Sequence, residues 1–337
     1  MFNPTTILQK NIEQLECPGA LLAVSENGDI TTYSAGSIGK DGHNRSFYIY
    51  SISKTLTATA ILLLCEEQGN FLDEPLAVFL SEAPIPRQIT IRQLLNHTSG
   101  LSDYFSSAEY RQALSDNPTT PWTYDKLMML GLRDTPLFEP GTSWSYSNPG
   151  YALLEELIEK KAEMKYYDFV RKTIIDHVAL DDTRPFLEVD HRQELLEGED
   201  LSFIGDFRTL YHPGWIAPAC FISTVSDVAK FYDALFDYRI VSQDSLSEMT
   251  RTVDVLKSPT SESIPSYGLG LMHGRNSPLG DAYGHGGGGP GYTTFALHYP
   301  KLEGNSVSFS LVLNKNLPQT PFKLMDQIVA LYRDSKT

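Results

Sequence analysis

A serine and a lysine three residues apart begin the most hydrophobic helical stretch of this 337-residue chain. Ser51 and Lys54 stand in the sequence Ser-Ile-Ser-Lys, and this spacing places both side chains on one face of a helix. A serine needs a base to become a nucleophile at neutral pH, and a lysine can serve if burial lowers its pKa from about 10.4. An N-cap serine followed by a surface lysine gives the same short pattern. However, residues 55–65 carry no charge before Glu66, and an apolar helix is a costly place for a lysine without a partner or a role.

Tyr146 and Asn148 lie two residues apart, after a segment rich in proline and glycine and before a predicted helix. A tyrosine beside a buried lysine could lose its proton well below pH ~10 and act as a general base. The Asn148 amide offers both a hydrogen-bond donor and an acceptor to a substrate. A turn with an asparagine helix cap is the alternative interpretation of this segment.

Residues 284–291 read Gly-His-Gly-Gly-Gly-Gly-Pro-Gly, after the predicted end of a strand. Glycines let the backbone approach a ligand closely, and His285 could add a positive charge or a donor to a site. The run is not a phosphate-binding P-loop, because no Gly-Lys-Ser/Thr follows it. A flexible hairpin tip beside a surface histidine would have the same composition.

The charge balance excludes several classes of partner. The chain has 27 Lys and Arg against 42 Asp and Glu, a net charge of −15, which argues against nucleic acid and anionic lipid. No apolar run is long enough to span a bilayer, and the first thirty residues lack the apolar stretch of a secretory signal. We therefore expect either a cytoplasmic protein or one whose signal was removed, and the initial Met favours the former. Three cysteines are too few and too scattered for a disulfide framework or a zinc site.

Hydrophobic periodicity and turn signals predict the elements that must position these residues. The predicted helices are residues 6–16, 51–68, 151–161, 166–178 and 322–332, and the predicted strands are residues 20–25, 30–34, 267–271, 293–299 and 307–313. We expect an α/β fold of the α+β type, in which an antiparallel sheet from both chain ends is flanked by helices. The predicted domains are a sheet domain of residues 1–50 and 206–337 and a mainly helical domain of residues 51–205, with the active site at their interface.

Ser51-x-x-Lys54, Tyr146-x-Asn148 and His285-x-Gly287 resemble, in this order, the sequence signatures of the penicillin-recognising serine hydrolases. The resemblance is closest to the class C β-lactamase-like branch, which includes family VIII carboxylesterases, D-aminopeptidases and DD-peptidases. Further similar segments are residues 94–101, 138–154, 222–229, 267–270 and 290–292, so the resemblance runs from about residue 15 to the C-terminus. It implies a β-lactamase/transpeptidase-like fold with an inserted all-helical domain.

The resemblance also implies roles for individual residues. Ser51 is expected to be the acylated nucleophile, and Lys54 and Tyr146 the pair that takes its proton and later activates the deacylating water. The implied substrate-binding residues are Asn148, His285, Gly287 and Gly288, with the N–H groups of Ser51 and Gly288 as the oxyanion hole. No metal or organic cofactor is implied. In this branch His97 resembles a structural residue, and a small residue usually precedes the serine where this chain has Tyr50.

These features predict a serine hydrolase that forms an acyl-enzyme with an ester, amide or lactam of a small molecule. An esterase or amidase ranks first, because a cell-wall peptidase or a dedicated β-lactamase meets its substrate outside the cytoplasm. The alternatives are an acyltransferase, a β-lactamase, a DD-peptidase or D-aminopeptidase, and a non-catalytic penicillin-binding-like sensor. The sequence leaves the oligomeric state open.

Overall fold

The computed structural model describes residues 2–185, 194–200, 206–216, 218, 220–255, 264–318 and 321–336. Its helices are α1 (Thr5–Gln14), α2 (Ser53–Gln68), α3 (Ile91–Leu95), α4 (Ala108–Asp116), α5 (Tyr124–Gly131), α6 (Asn148–Ala162), α7 (Tyr166–Val170), α8 (Phe207–Leu210), α9 (Val225–Phe236), α10 (Gln243–Met249) and α11 (Phe322–Asp334). Its strands are β1 (Gly19–Glu26), β2 (Asp29–Gly36), β3 (Phe47–Tyr48), β4 (Arg184–Pro185), β5 (Phe221–Ser223), β6 (Val253–Asp254), β7 (Ile264–Tyr267), β8 (Met272–Arg275), β9 (Tyr283–Gly289), β10 (Tyr292–Leu302) and β11 (Asn305–Leu313).

The two ends of the chain build one antiparallel sheet. Its eight strands follow the order β2-β1-β11-β10-β9-β8-β7-β6, so the first hairpin of the chain pairs with the last. Asn27 and Gly28 both have positive φ, which is the turn geometry that an Asn-Gly hairpin requires. The predicted first hairpin and the predicted sheet from both chain ends are therefore confirmed.

Both faces of this sheet are covered. In β1, Leu21 and Ala23 face the cluster that contains α2 and α9, while Leu22 and Val24 face the cluster that contains α1 and α11. Each fully buried leucine of this kind contributes about 1.5–3 kcal/mol to stability. Because successive side chains of β1 pack against opposite apolar clusters, its sequence is a nearly continuous apolar run.

Helix α2 is buried nearly all round, as its sequence predicts, and packs against α6 and α7. Hydrogen bonds within the protein satisfy its buried polar side chains. Thr55 donates to the carbonyl oxygen of Gly270 at 2.8 Å, and the Thr57 hydroxyl lies 2.8 Å from that of Tyr166. The helix ends at Gly69, whose φ of 90° suits glycine. It thus forms a rigid support for the residues at its N-terminus.

Several predicted elements differ from the structure. Residues 268–271 form a turn between β7 and β8 rather than a strand, because the Gly268 N–H bonds the Leu271 carbonyl and Gly270 has a φ of 68°. The glycine run is itself a strand, β9, and not a hairpin tip, because it pairs with β10 along its length. Helix α6 begins at Asn148 and takes Pro149 and Gly150 into its first turn.

The predicted division into two domains stays a prediction, and its boundary at residue 205 lies outside the described residues. Within the described part of the chain, no helix is both long and apolar enough to cross a membrane.

Candidate active site

Ser51 lies in a 3₁₀ turn, Tyr50–Ile52, that leads directly into α2. The α-helix therefore begins two residues later than predicted. Tyr50 has a φ of 47°, a left-handed conformation that bulky residues rarely adopt. Its ring is buried, and its hydroxyl donates to the carbonyl oxygen of Pro290 at 2.5 Å. The turn that carries the serine is thus held against the end of β9.

The glycines of β9 make this close approach possible. A Cβ atom at Gly289 would lie 2.6 Å from the Tyr50 ring, and one at Gly287 would lie 2.5 Å from the Ile49 carbonyl oxygen. Contacts this short mean that a side chain at either position would force its neighbours to move. The glycine density therefore has a specific cause, because it lets a strand pack against a turn that carries a tyrosine.

Lys54 is buried one helical turn after Ser51. Its Nζ donates to Asn148 Oδ1 at 2.7 Å and lies 4.9 Å from the centroid of the Tyr146 ring. Burial lowers the pKa of Lys54 to about 8, although the negative charges of Asp103 and Glu155 oppose the shift. About a tenth of such lysines would be neutral at pH 7, so the amine is able to accept a proton under mild conditions.

Asp103 fixes the orientation of Asn148. Its Oδ2 accepts hydrogen bonds from the backbone N–H of Asn148 at 3.0 Å and from Asn148 Nδ2 at 2.9 Å. The amide nitrogen therefore faces Asp103, and the amide oxygen faces Lys54. Burial raises the pKa of Asp103, while its hydrogen bonds and the charge of Lys54 work in the opposite direction. Sequence reasoning missed Asp103, since its only local signal is that of a residue that caps a short turn.

The Tyr146 side chain is half-buried, and its hydroxyl is shielded from solvent. Burial raises the pKa of Tyr146 well above its ordinary value, and the interaction with the Ser51 side chain offsets this only in part. The phenol is therefore neutral in the resting site. The expectation that Lys54 would draw the tyrosine pKa below 10 is wrong for this state, because desolvation outweighs the nearby amine. Lys54 is the residue of this pair with a pKa near the physiological range.

The strand β9 borders the other side of Ser51. It pairs with β10 along its length but with β8 only at Tyr283 and Gly284, so residues 285–289 have one edge without a strand partner among the described residues. A Cβ atom added at Gly288 would meet nothing within 4 Å. The backbone N–H and C=O groups of this edge are the kind of groups that can bind an extended substrate.

His285 is fully buried, with both ring nitrogens engaged. Nδ1 lies 2.5 Å from the Gly286 carbonyl oxygen, which can only accept, so Nδ1 carries the proton and Nε2 accepts from the Tyr267 hydroxyl at 2.8 Å. Burial lowers the pKa of His285 to about 3. The histidine is therefore neutral and does not supply the positive charge that its position in the sequence suggested.

Two adjoining cavities of about 240 and 570 Å³ share Ser51, Tyr146 and Gly288 in their walls. The smaller cavity also has Lys54, Asp103 and Asn148 in its wall. The apolar and aromatic side chains that line the smaller cavity include Tyr50, Phe105, Tyr110, Leu114 and Ile216. The larger cavity follows β9, and its lining includes His285, Gly286, Gly287, Arg111, Asp200 and Asn316. All the predicted site residues thus line one continuous cleft. Lys54 and Asn148 line its smaller cavity, and His285 and Gly287 line its larger one.

The chain was compared with known proteins. The Beta-lactamase family model matches residues 5–334. A penicillin-binding protein of Bacillus subtilis (strain 168) is 29% identical over 324 residues, which cover 87% of this chain and 68% of that protein. The chain spans only 53–54% of the length of some other curated relatives, among them D-aminopeptidases of Cereibacter sphaeroides.

Two solved structures resemble the whole chain. A D-stereospecific amidohydrolase from Streptomyces sp. is 29% identical with a TM-score of 0.80, over 95% of this chain and 97% of the other. The D-amino acid amidase of Ochrobactrum anthropi SV3 is 25% identical with a TM-score of 0.82, over 98% of each chain.

The fold and these relatives define a serine hydrolase. In particular, the chain belongs to the beta-lactamase family. The predicted fold class and the resemblance to penicillin-recognising hydrolases are confirmed. The roles of the individual site residues stay predictions, as does the absence of a cofactor.

Proposed function

We propose that the protein is an amidohydrolase that cleaves small amides or esters through an acyl-enzyme on Ser51. The observation that carries this proposal is the environment of Lys54. The amine is buried, has a pKa of about 8, forms no salt bridge with any carboxylate of the described residues and lies one turn from a serine in the wall of the cleft. A lysine in this state is a general base rather than a structural cation.

The proposed acylation step uses Lys54 and Tyr146 as proton carriers. Neutral Lys54 takes the Ser51 hydroxyl proton, directly or through the Tyr146 hydroxyl, as the serine oxygen attacks the carbonyl carbon. The N–H groups of Ser51 and Gly288 stabilise the oxyanion, a contribution worth about 2.7–4 kcal/mol for each donor. The carbon–nitrogen or carbon–oxygen bond then breaks, and Tyr146 delivers a proton to the leaving group and regains one from Lys54.

Deacylation reverses the roles of the proton carriers. Water attacks the ester of Ser51, and the Lys54–Tyr146 pair accepts one of its protons. The serine hydroxyl forms again as the carboxylic acid leaves. Asn148, held by Asp103 and Lys54, keeps its amide in a fixed orientation at the wall of the smaller cavity.

We further propose that the acyl group of the substrate carries a free amino group and a D configuration. Asp103 places a carboxylate in the wall of the smaller cavity, where the remaining walls are largely aromatic and aliphatic. An ammonium group beside an apolar side chain complements such a cavity. The names of two similar structures, a D-amino acid amidase and a D-stereospecific amidohydrolase, support this substrate class.

The test is hydrolysis of D-phenylalanine amide, L-phenylalanine amide and 3-phenylpropanamide, with intact mass spectrometry of the protein. We expect turnover of the D-amide, at least about tenfold slower turnover of the other two, and a loss of at least about 10⁴-fold in Ser51→Ala. Turnover that persists in Ser51→Ala would show that another residue is the nucleophile.

A penicillin-binding function is the second candidate, since a similar protein has that name and the larger cavity follows the unpaired edge of β9. Brief incubation with benzylpenicillin separates the two. A stable adduct on Ser51 without amide turnover would favour penicillin binding, whereas turnover without a lasting adduct favours the amidohydrolase.

A further inference from the structure

His97 holds the backbone on both sides of Tyr146. Its carbonyl oxygen accepts from the N–H of Ser145 at 3.0 Å, and its Nδ1 accepts from the N–H of Ser147 at 3.2 Å. The imidazole ring lies 4.2 Å from the Tyr146 ring, centroid to centroid. One residue therefore clamps the two neighbours of the tyrosine and packs against its side chain.

The hydrogen bond to Ser147 defines the state of the imidazole. A backbone N–H can only donate, so Nδ1 must be unprotonated and the proton must sit on Nε2. Burial, together with the positive charge of Lys54, keeps the pKa of His97 well below its ordinary value. Nε2 has no hydrogen-bond partner among the described residues and is surrounded by aromatic rings, those of Trp144, Tyr146, Tyr151 and Tyr267.

The backbone of His97 is also specialised. Its φ of 61° is left-handed, a conformation that histidine and asparagine adopt more readily than most residues and glycine adopts freely. This conformation allows the carbonyl oxygen and the ring of one residue to face the same segment. Ser147 in turn caps α6, so the clamp also sets the position of Asn148.

We propose that His97 is a positioning residue that fixes the Tyr146 hydroxyl relative to Ser51 and does not contact the substrate. His97 lines neither of the two cavities that contain Ser51, so any effect on the reaction must pass through the tyrosine segment. A displacement of about 1 Å in a reacting group reduces rates by about 10²-fold, and the tyrosine hydroxyl stands at the end of a long side chain. The inference rests on the proton-transfer role proposed for Tyr146.

The matched variants are His97→Asn and His97→Gly. Both residues accept the left-handed backbone, and the asparagine side-chain oxygen can replace Nδ1 as the acceptor for the Ser147 N–H, whereas glycine cannot. We expect kcat with D-phenylalanine amide to fall about 10²-fold in His97→Gly with KM changed by less than about threefold, and His97→Asn to recover at least about tenfold of that loss. Equal kcat values in the two variants would overturn the proposal, as would a lower melting temperature with kcat unchanged.

A double-mutant cycle separates this inference from the proposed function. If His97 acts through Tyr146, His97→Gly should add less than about threefold to the defect of Tyr146→Phe. Full activity in Tyr146→Phe would refute the proton-transfer role itself. A severe defect in Tyr146→Phe that multiplies with that of His97→Gly would leave the role intact and refute the positioning inference.

A measurement on the unmodified protein keeps the inference testable if the variants do not fold. The ¹⁵N shifts of the His97 imidazole should show an unprotonated Nδ1 and a protonated Nε2 from pH 6 to 9, since pKa values well below 6.5 keep the ring neutral there. A protonated Nδ1 in this range would exclude the hydrogen bond from Ser147 and overturn the proposal.

Discussion

The two sides of the cleft supply chemistry in different ways. On the helical side, α2 and α6 present side chains. Burial sets the pKa of Lys54 at about 8, and hydrogen bonds fix the amide of Asn148. On the strand side, β9 presents backbone groups, and the side chains are either absent, as at Gly287 and Gly288, or turned into the core, as at His285. The proposed mechanism therefore depends on particular side-chain atoms on one side and on open space beside the backbone on the other.

This difference determines how each side responds to substitution. Removal of atoms should harm the helical side, because each functional group there is a single side chain without a substitute. Addition of atoms should harm the strand side, because the backbone edge works only while the space beside it stays open. Predictions for Lys54, for Gly287 and Gly288, and for His285 test this contrast, in order of the expected effect.

The largest effect is expected for Lys54→Met, which keeps the apolar stem and removes the amine. We expect kcat/KM to fall by about 10²–10⁴-fold. In the wild type, kcat/KM should rise with pH through a midpoint near 8, since the neutral amine is the active form, and this limb should be absent from the variant. A limb near pH 8 that survives in Lys54→Met would assign the base to another group.

Lys54 should also make folding pH-dependent. The folded protein releases the Lys54 proton at about pH 8, whereas the unfolded chain retains it up to about 10.5. The unfolded state therefore binds more protons in this window, and the contribution of Lys54 to the free energy of unfolding rises with pH between these values. Denaturant titrations at pH 8 and 10 should show this rise in the wild type relative to Lys54→Met.

The second prediction compares Gly287→Ala with Gly288→Ala. A methyl group at Gly287 would lie 2.4 Å from Thr294 Oγ1 and 2.5 Å from the Ile49 carbonyl oxygen, whereas one at Gly288 would enter open space. We expect Gly287→Ala to lower the free energy of unfolding by about 1–3 kcal/mol. Gly288→Ala should leave the melting temperature unchanged and raise KM about tenfold through contact with the substrate. Equal stability of both variants with unchanged KM would show that the edge of β9 does not bind substrate.

The same contrast explains what could be predicted from the sequence. The first hairpin and α2 follow from periodicity and from a clear Asn-Gly turn, which are local signals. The pairing of both chain ends was predicted from the order of strands and helices along the chain. The sequence placed the glycine run after the end of a strand, with a hairpin tip as the alternative interpretation, because glycine indicates turns locally. Its pairing with β10 and its contact with Tyr50 are tertiary and leave no periodic pattern.

The grouping of the site residues in one cleft could be predicted from the sequence, but their protonation states and hydrogen-bond partners could not. The order of the motifs predicted a shared cleft, and the structure places four motif residues in the wall of the smaller cavity: Ser51, Lys54, Tyr146 and Asn148. The link from Asp103 to Asn148 spans 45 residues and carries no spacing signal. The direction of the Tyr146 pKa shift depends on burial, which a sequence does not specify.

The smallest effect is expected for His285. The ring is neutral and hydrogen-bonded on both nitrogens, so His285→Asn should change kcat/KM by only a fewfold, about the value of one hydrogen bond. No limb near pH 6.5 should occur in the wild-type profile, because burial lowers the pKa of His285 to about 3. Tyr267→Phe is the matched control, since it removes the hydroxyl that donates to Nε2 and leaves the histidine in place. A wild-type limb near pH 6.5 that disappears in His285→Asn would place a charged side chain on the strand side, and the two sides of the cleft would then work alike.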